Sequence, residues 1–130
     1  QMLASAGADG VVKIWNAKDG DQSRSIGGFT KQVTSLQFIG DTPDIAATSG
    51  DSIVRFIRST NGGTVRNFGG VAEFMHCVAV TPDGTVLVAG GHDSILRIWN
   101  GTNGQVLNSL PPPQPEEVGT AQGSEQVADK

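Results

Sequence analysis

A step of 42 residues runs through the chain and constrains everything else about it. Trp15, Ile57 and Trp99 stand one step apart, as do Asp9, Asp51 and Asp93, and again Gly20, Gly62 and Gly104. Three residue types keeping one spacing without a gap mark internal repetition, in which each copy is a supersecondary unit that stacks on its neighbours. Within a copy, the Asp precedes a run that alternates in the β manner. The clearest case is Gly90 to Gly104, GGHDSILRIWNGTNG. There Asp93-Ser94 makes a tight reversal, Ile95 to Trp99 a strand, and Asn103-Gly104 a second reversal, because Asn and Gly tolerate positive φ.

Aligning the copies predicts strands at 2–7, 11–16 and 22–26 in the first unit. The second unit has 33–38, 45–49, 53–58 and 64–68, and the third 75–80, 86–90, 95–99 and 105–110. Equivalent positions keep their chemistry. Leu3, Ile45 and Leu87 form one apolar column, Ile14, Phe56 and Ile98 a second, and Ile26, Phe68 and Leu110 a third, so all nine are expected in the core. Lys13, Arg55 and Arg97 form a basic column, expected to pack its stems and keep its heads in water. Composition agrees with an all-β chain: Gly 18, no Tyr, and no window with apolar residues at helical spacing that Gly or Asn-Gly does not interrupt.

The net charge of −4 is unevenly placed. Glu116, Glu117, Glu125 and Asp129 face only Lys130 near the C-terminus, which leaves the rest almost neutral. A nearly neutral body lacks the basic stripe of a nucleic-acid binder, so no nucleic-acid partner is expected. One Cys excludes an internal disulfide and any CxxC pair. No apolar run approaches the roughly 18 residues of a membrane helix, and no membrane partner is expected. Pro111-Pro112-Pro113 and Pro115 cannot continue a sheet, and residues 114–130 read as an acidic disordered tail or linker.

Four strands in about 42 residues resembles the blade of a β-propeller, and the residues VTPDGTVLVAGGHDSILRIWNGTNGQVL (80–107), LASAGADGVVKIWNAKDG (3–20) and IAATSGDSIVRFIRSTNGG (45–63) resemble the WD-repeat family. The resemblance covers residues 2 to about 110 and implies antiparallel four-stranded blades at about 1–30, 31–72 and 73–113, two complete and the first with three strands. The chain departs from the family pattern at the terminal Trp-Asp, which is Trp15-Asn16, Ile57-Arg58 and Trp99-Asn100. The family His before each inner strand would fall at Phe29 and Val71. In the family that His, a strand Ser or Thr, the turn Asp and the Trp form a buried network. Here Ser49 is read as the sole Ser at its position, so no copy is expected to complete the network, and the Asp residues are expected to serve their own turns.

Closed propellers have about 4 to 8 blades, so three wedges leave an apolar face bare at each end. The resemblance therefore implies a protein-protein interaction scaffold, non-catalytic and without a cofactor, that is the C-terminal part of a larger propeller. It is similar to the closing blades of large bacterial WD-repeat proteins. Its partner would be another protein or the missing blades of its own propeller. Two alternatives stand beside it. One is a self-associating three-blade protomer, a homo-oligomer whose ring binds a small or saccharide ligand. The other is a propeller attached to an enzyme or c-type haem domain absent from this chain.

His76, Cys77, His92 and Asp93 are the only metal-like residues, and adjacent strand residues point to opposite sides, so no metal site is expected. His76 is instead expected to reach Asp93 in place of the family His. Cys77 is expected to be a small buried filler. The family places partner contacts on the loops before each inner strand and on the following hairpins, which implies Phe29, Lys31, Gln32, Glu73, Phe74 and His92 here. Inward packing is the competing role for Phe29.

Overall fold

The computed structural model describes residues 1–114, so all but the first residue of the expected acidic tail lies outside the described residues. Among these there are eleven strands and no helix. They are β1 (Met2–Ala6), β2 (Val12–Asn16), β3 (Gln22–Ile26), β4 (Val33–Phe38), β5 (Asp44–Ser49), β6 (Val54–Arg58), β7 (Thr64–Phe68), β8 (Met75–Val80), β9 (Val86–Gly91), β10 (Leu96–Asn100) and β11 (Val106–Leu110). Every predicted strand is present, with its ends within one residue of the expected position. The strands make three antiparallel meanders, β1-β2-β3, β4-β5-β6-β7 and β8-β9-β10-β11. These are propeller blades, and together they do not close a ring.

The period extends to irregularities. A register shift falls between Ile14 and Trp15, between Phe56 and Ile57 and between Ile98 and Trp99, one step apart each time. The turn that follows each shift needs a left-handed residue, and Gly20, Gly62 and Gly104 supply it at φ 81°, 77° and 79°. A further shift leaves Thr34 unpaired in β4 and His76 in β8. A bulge turns the side chain out of the pleat, and the Thr34 hydroxyl uses this to donate to the Met75 carbonyl at 2.7 Å.

Strand alternation gives every blade two faces. The trailing face of blade one (Val12, Ile14, Ile26) packs on the leading face of blade two (Ile45, Ala47, Ile57). The trailing face of blade two (Val54, Phe56, Phe68) packs on the leading face of blade three (Leu87, Ala89, Trp99). In the second seam Phe68 lies edge-on between Phe56 at 4.7 Å and Trp99 at 5.9 Å. Near the hub, Gln37 of β4 grips β8 with both ends of its amide: Nε2 donates to the Val80 carbonyl and Oε1 accepts from the Val80 N–H, each at 3.1 Å. Ser35 accepts from the Val78 N–H at 3.3 Å.

Each expected core column loses a member at an end of the stack. Ile45 and Leu87 are 0% exposed whereas Leu3 is 56% exposed, and Ile26 and Phe68 are buried whereas Leu110 is 44% exposed. Ile98, whose counterparts Ile14 and Phe56 are buried, is half-buried. The correction has one cause: the side chains are equivalent, but Leu3 has no preceding blade and Leu110 no following one among the described residues.

The hairpin after β9 carries a local strain that can be relieved. Ser94 holds φ at 62° and Ser52 at 69°, where blade one has Gly10 at 71°. A left-handed conformation costs a residue with a Cβ about 1–2 kcal/mol, part of which the extra unfolded-state freedom of Gly cancels. Ser94→Gly is therefore expected to stabilise the chain by about 0.5–1 kcal/mol, read as a higher urea midpoint with an unchanged slope.

Candidate functional site

The hairpins 7–11, 49–53 and 91–95 and the linkers that precede β4 and β8 meet at one end of the blades. Backbone bonds join them at equivalent places: Gly50 N–H to the Gln32 carbonyl at 2.9 Å and His92 N–H to the Phe74 carbonyl at 2.8 Å. As expected, each turn Asp serves its own hairpin, accepting from Val11 N–H at 3.2 Å (Asp9), Ile53 N–H at 3.1 Å (Asp51) and Ile95 N–H at 3.0 Å (Asp93). Asp51 goes further. It accepts from Ser49 and, across the linker, from Thr30 N–H at 2.7 Å and Thr30 Oγ1 at 3.2 Å. Burial pushes its carboxyl up, but the hydrogen bonds from Ser49, Thr30 and Ile53 outweigh this and hold it below the ordinary value.

The basic column is more than a set of wet heads, which corrects its expected role in blades two and three. Arg97 is 9% exposed. Its guanidinium pairs with Asp93 at 2.7 Å and 3.2 Å and donates through Nε to the Gly70 carbonyl at 3.1 Å. Arg55 donates to the Gly28 carbonyl at 3.1 Å, one repeat earlier, and lies over the Phe29 ring at 4.3 Å. A planar guanidinium fork reaches a carboxylate and a carbonyl together, whereas an ammonium group is a point charge. Lys13 makes only a 3.8 Å pair with Asp9, both well exposed, and a pair of that kind adds little.

Asp93 is therefore engaged by Arg97, and the expected His76–Asp93 contact gives way to it. His76 instead lies 5.0 Å from the Phe74 ring and 6.1 Å from the His92 ring. The Trp partner also differs from expectation. Trp15 Nε1 donates to Ser5 Oγ at 2.8 Å, so Ser5 fills the position assigned to Ser49, whose hydroxyl serves Asp51. Trp99, with Ala89 where blade one has Ser5, donates to the Gly69 carbonyl at 3.0 Å. Cys77 is exposed, not the buried filler expected. No group of three or more His, Cys, Asp or Glu gathers to hold a metal among the described residues.

Of the residues placed on the contact face, Lys31, Gln32, Glu73 and His92 are exposed and Phe74 is half-buried. Phe29 is 8% exposed beneath Arg55, so it offers no ring to a partner. Phe74 rests against Gly50 of the preceding blade, so closely that a Cβ at residue 50 would overlap its ring. The structure thus draws Phe74, His76 and His92 into one strip. Sequence reading had set His76 apart from that face as a network residue. The bulge that frees it was legible only as its equivalence to Thr34.

The family model described as "WD domain, G-beta repeat" matches residues 1–16 and 63–100. The match and the three antiparallel sheets support a WD-repeat, β-propeller-like family. The matched parts flank the copy that has Ile57-Arg58 where the other two copies have Trp-Asn. No curated protein matches the chain. WD repeats generally mediate protein-protein interactions.

Proposed function

We propose that this chain is a non-catalytic interaction module, one arc of a larger propeller, that binds another protein through the strip formed by Phe74, His76 and His92. One observation carries the reading: an aromatic ring is only half-buried while one side is clamped against Gly50 of the neighbouring blade and its backbone is tied to His92. A ring already fixed in place loses little freedom on binding, which is how aromatic anchors come to dominate interfaces. Lys31, Gln32 and Glu73 form the polar rim. No nucleophile and base meet in this strip, and its chemistry is that of shape and apolar contact.

Crosslinking tests the reading. A photoreactive residue at position 73 is expected to trap a discrete partner in cells, while one at Asp41, in the exposed turn between β4 and β5 at the other end of the blade, is not. Phe74→Ser should lower affinity for the trapped partner roughly thirtyfold or more, the loss of one hot-spot residue. Equal trapping from both positions, or trapping indifferent to Phe74→Ser, defeats the proposal.

A further inference from the structure

We infer that Arg55 is a binding site for one carboxylate, supplied by an acidic side chain of a protein partner at the linker-hairpin end of the blades. Its counterpart one repeat later shows what Arg55 lacks. Arg97 donates to both Asp93 oxygens and, through Nε, to the Gly70 carbonyl. Arg55 donates through Nη2 to the Gly28 carbonyl, the repeat of Gly70, at 3.1 Å. Its Nε is buried and has no hydrogen-bond partner among the described residues. Blade two is packed on both of its faces, so a missing neighbour does not account for the orphaned donor.

Asp51, the repeat of Asp93, cannot supply the carboxylate because it is already saturated. A carboxylate offers about four acceptor positions, two on each oxygen. Oδ1 accepts from Ser49 and from the Ile53 N–H at 3.1 Å, and Oδ2 from the Thr30 N–H at 2.7 Å and Thr30 Oγ1 at 3.2 Å. The two hydroxyl residues that do this are peculiar to blade two: where it has Thr30 and Ser49, blade three has Ala72 and Gly91. Burial pulls the Arg55 guanidinium below its ordinary value, and the charge of Asp51 opposes this only in part. Phe29, 4.3 Å beneath the guanidinium, offsets some of the lost hydration. A cation drawn out of water without a hydrogen-bonded anion still carries a cost that a carboxylate would relieve.

The surroundings leave room for one. Arg55 is half-buried where Arg97 is 9% exposed. Gly28, at φ 100°, keeps the space beside Nη1 clear, since a Cβ there would stand 3.2 Å from that nitrogen. Moving the Gly28 carbonyl from Nη2 to Nε, its place on Arg97, satisfies the orphaned donor and frees both Nη groups for a carboxylate. A guanidinium fork takes the two oxygens of a carboxylate together, as Arg97 takes those of Asp93. Lys31, exposed in the adjoining linker, adds a second positive charge. A protein as the source of the carboxylate rests on the proposed contact strip, which shares this end of the blades; the carboxylate site rests on the fork alone.

The Nε–H resonances of a ¹⁵N-labelled chain report the site directly. Titration of the full chain with sodium acetate, at ionic strength held constant with sodium chloride, is expected to shift the Arg55 signal saturably and leave that of Arg97 in place. Thr30→Ala, at an exposed position, should hand Asp51 Oδ2 to Arg55, move the Arg55 signal toward that of Arg97 without acetate, and remove most of the acetate response. For the partner trapped from position 73, Arg55→Gln should lower affinity roughly tenfold, and Arg55→Lys, which keeps the charge but not the fork, should not restore it. No saturable shift, an equal shift of Arg97, or saturation by phosphate and not by acetate overturns the carboxylate site. An acetate response with partner affinity indifferent to Arg55→Gln overturns the protein source. Phe74→Ser should leave the acetate response unchanged, so failure of the contact strip and failure of this site are read separately.

Discussion

Replacing Trp99 by Ala is expected to destabilise the chain by about 3–5 kcal/mol, while the same change at Trp15 costs about 1 kcal/mol or less. The two residues occupy one repeat position and pair alike across their hairpins, Trp15 with Leu3 and Trp99 with Leu87. Their surroundings differ. Trp99 is 0% exposed, edge-on to Phe68 and bonded to the Gly69 carbonyl. Its removal opens a cavity between two four-stranded sheets that cannot collapse onto it, and leaves that carbonyl without its donor. Trp15 is half-buried on a face that no blade covers among the described residues, and its indole N–H donates to Ser5, an exposed side chain. Urea unfolding followed by circular dichroism, at concentrations where the chain is monomeric, measures both. Equal losses would show that the indole matters through its own hairpin and not through the seam.

That contrast also shows what the sequence makes legible. Repetition disclosed the blades because Asp, Trp and Gly at a 42-residue step each do a local job: an Asp accepts from its own turn, a Gly takes positive φ, and a bulge precedes each Gly turn. Local jobs are written locally. Burial belongs to a neighbour, so Leu3, Ile45 and Leu87 read alike although they end 56%, 0% and 0% exposed. The Trp partner was missed for a different reason. Alignment to Ala47 and Ala89 hides Ser5, whereas the pairing of Leu3 with Trp15 puts Ser5 two residues along on the same face, within reach of the indole. The contact strip was half readable. Phe74 and His92 follow from the resemblance, but His76 joins them through a bulge, which depends on strand register and not on residue type.

Arg97→Leu is expected to cost about 2–4 kcal/mol at neutral pH, below the largest values for breaking buried ion pairs because Asp93 keeps some contact with water. The guanidinium holds three acceptor positions at one seam, both Asp93 oxygens and the Gly70 carbonyl. Leucine retains apolar packing and supplies none of these donors. Its pH dependence identifies which contact matters. Arg97 first, and then the Ile95 N–H, hold the Asp93 carboxyl below its ordinary value of 3.8. A carboxyl depressed on folding stabilises fully above its unfolded value, about 4, and loses that contribution as the pH falls through the folded value. Wild type therefore weakens on acidification below about pH 4 through this pair, while the variant has little of it to lose. The gap between them should be widest from pH 5 to 8 and narrow in acid. Asp83, held at about 2 by Thr81 and by the backbone and side chain of Thr85, titrates alike in both proteins and cancels from the difference. Urea midpoints at pH 7, 4 and 3 supply the comparison. A gap that stays constant across this range would assign the role of Arg97 to the Gly70 carbonyl, and not to the Asp93 ion pair.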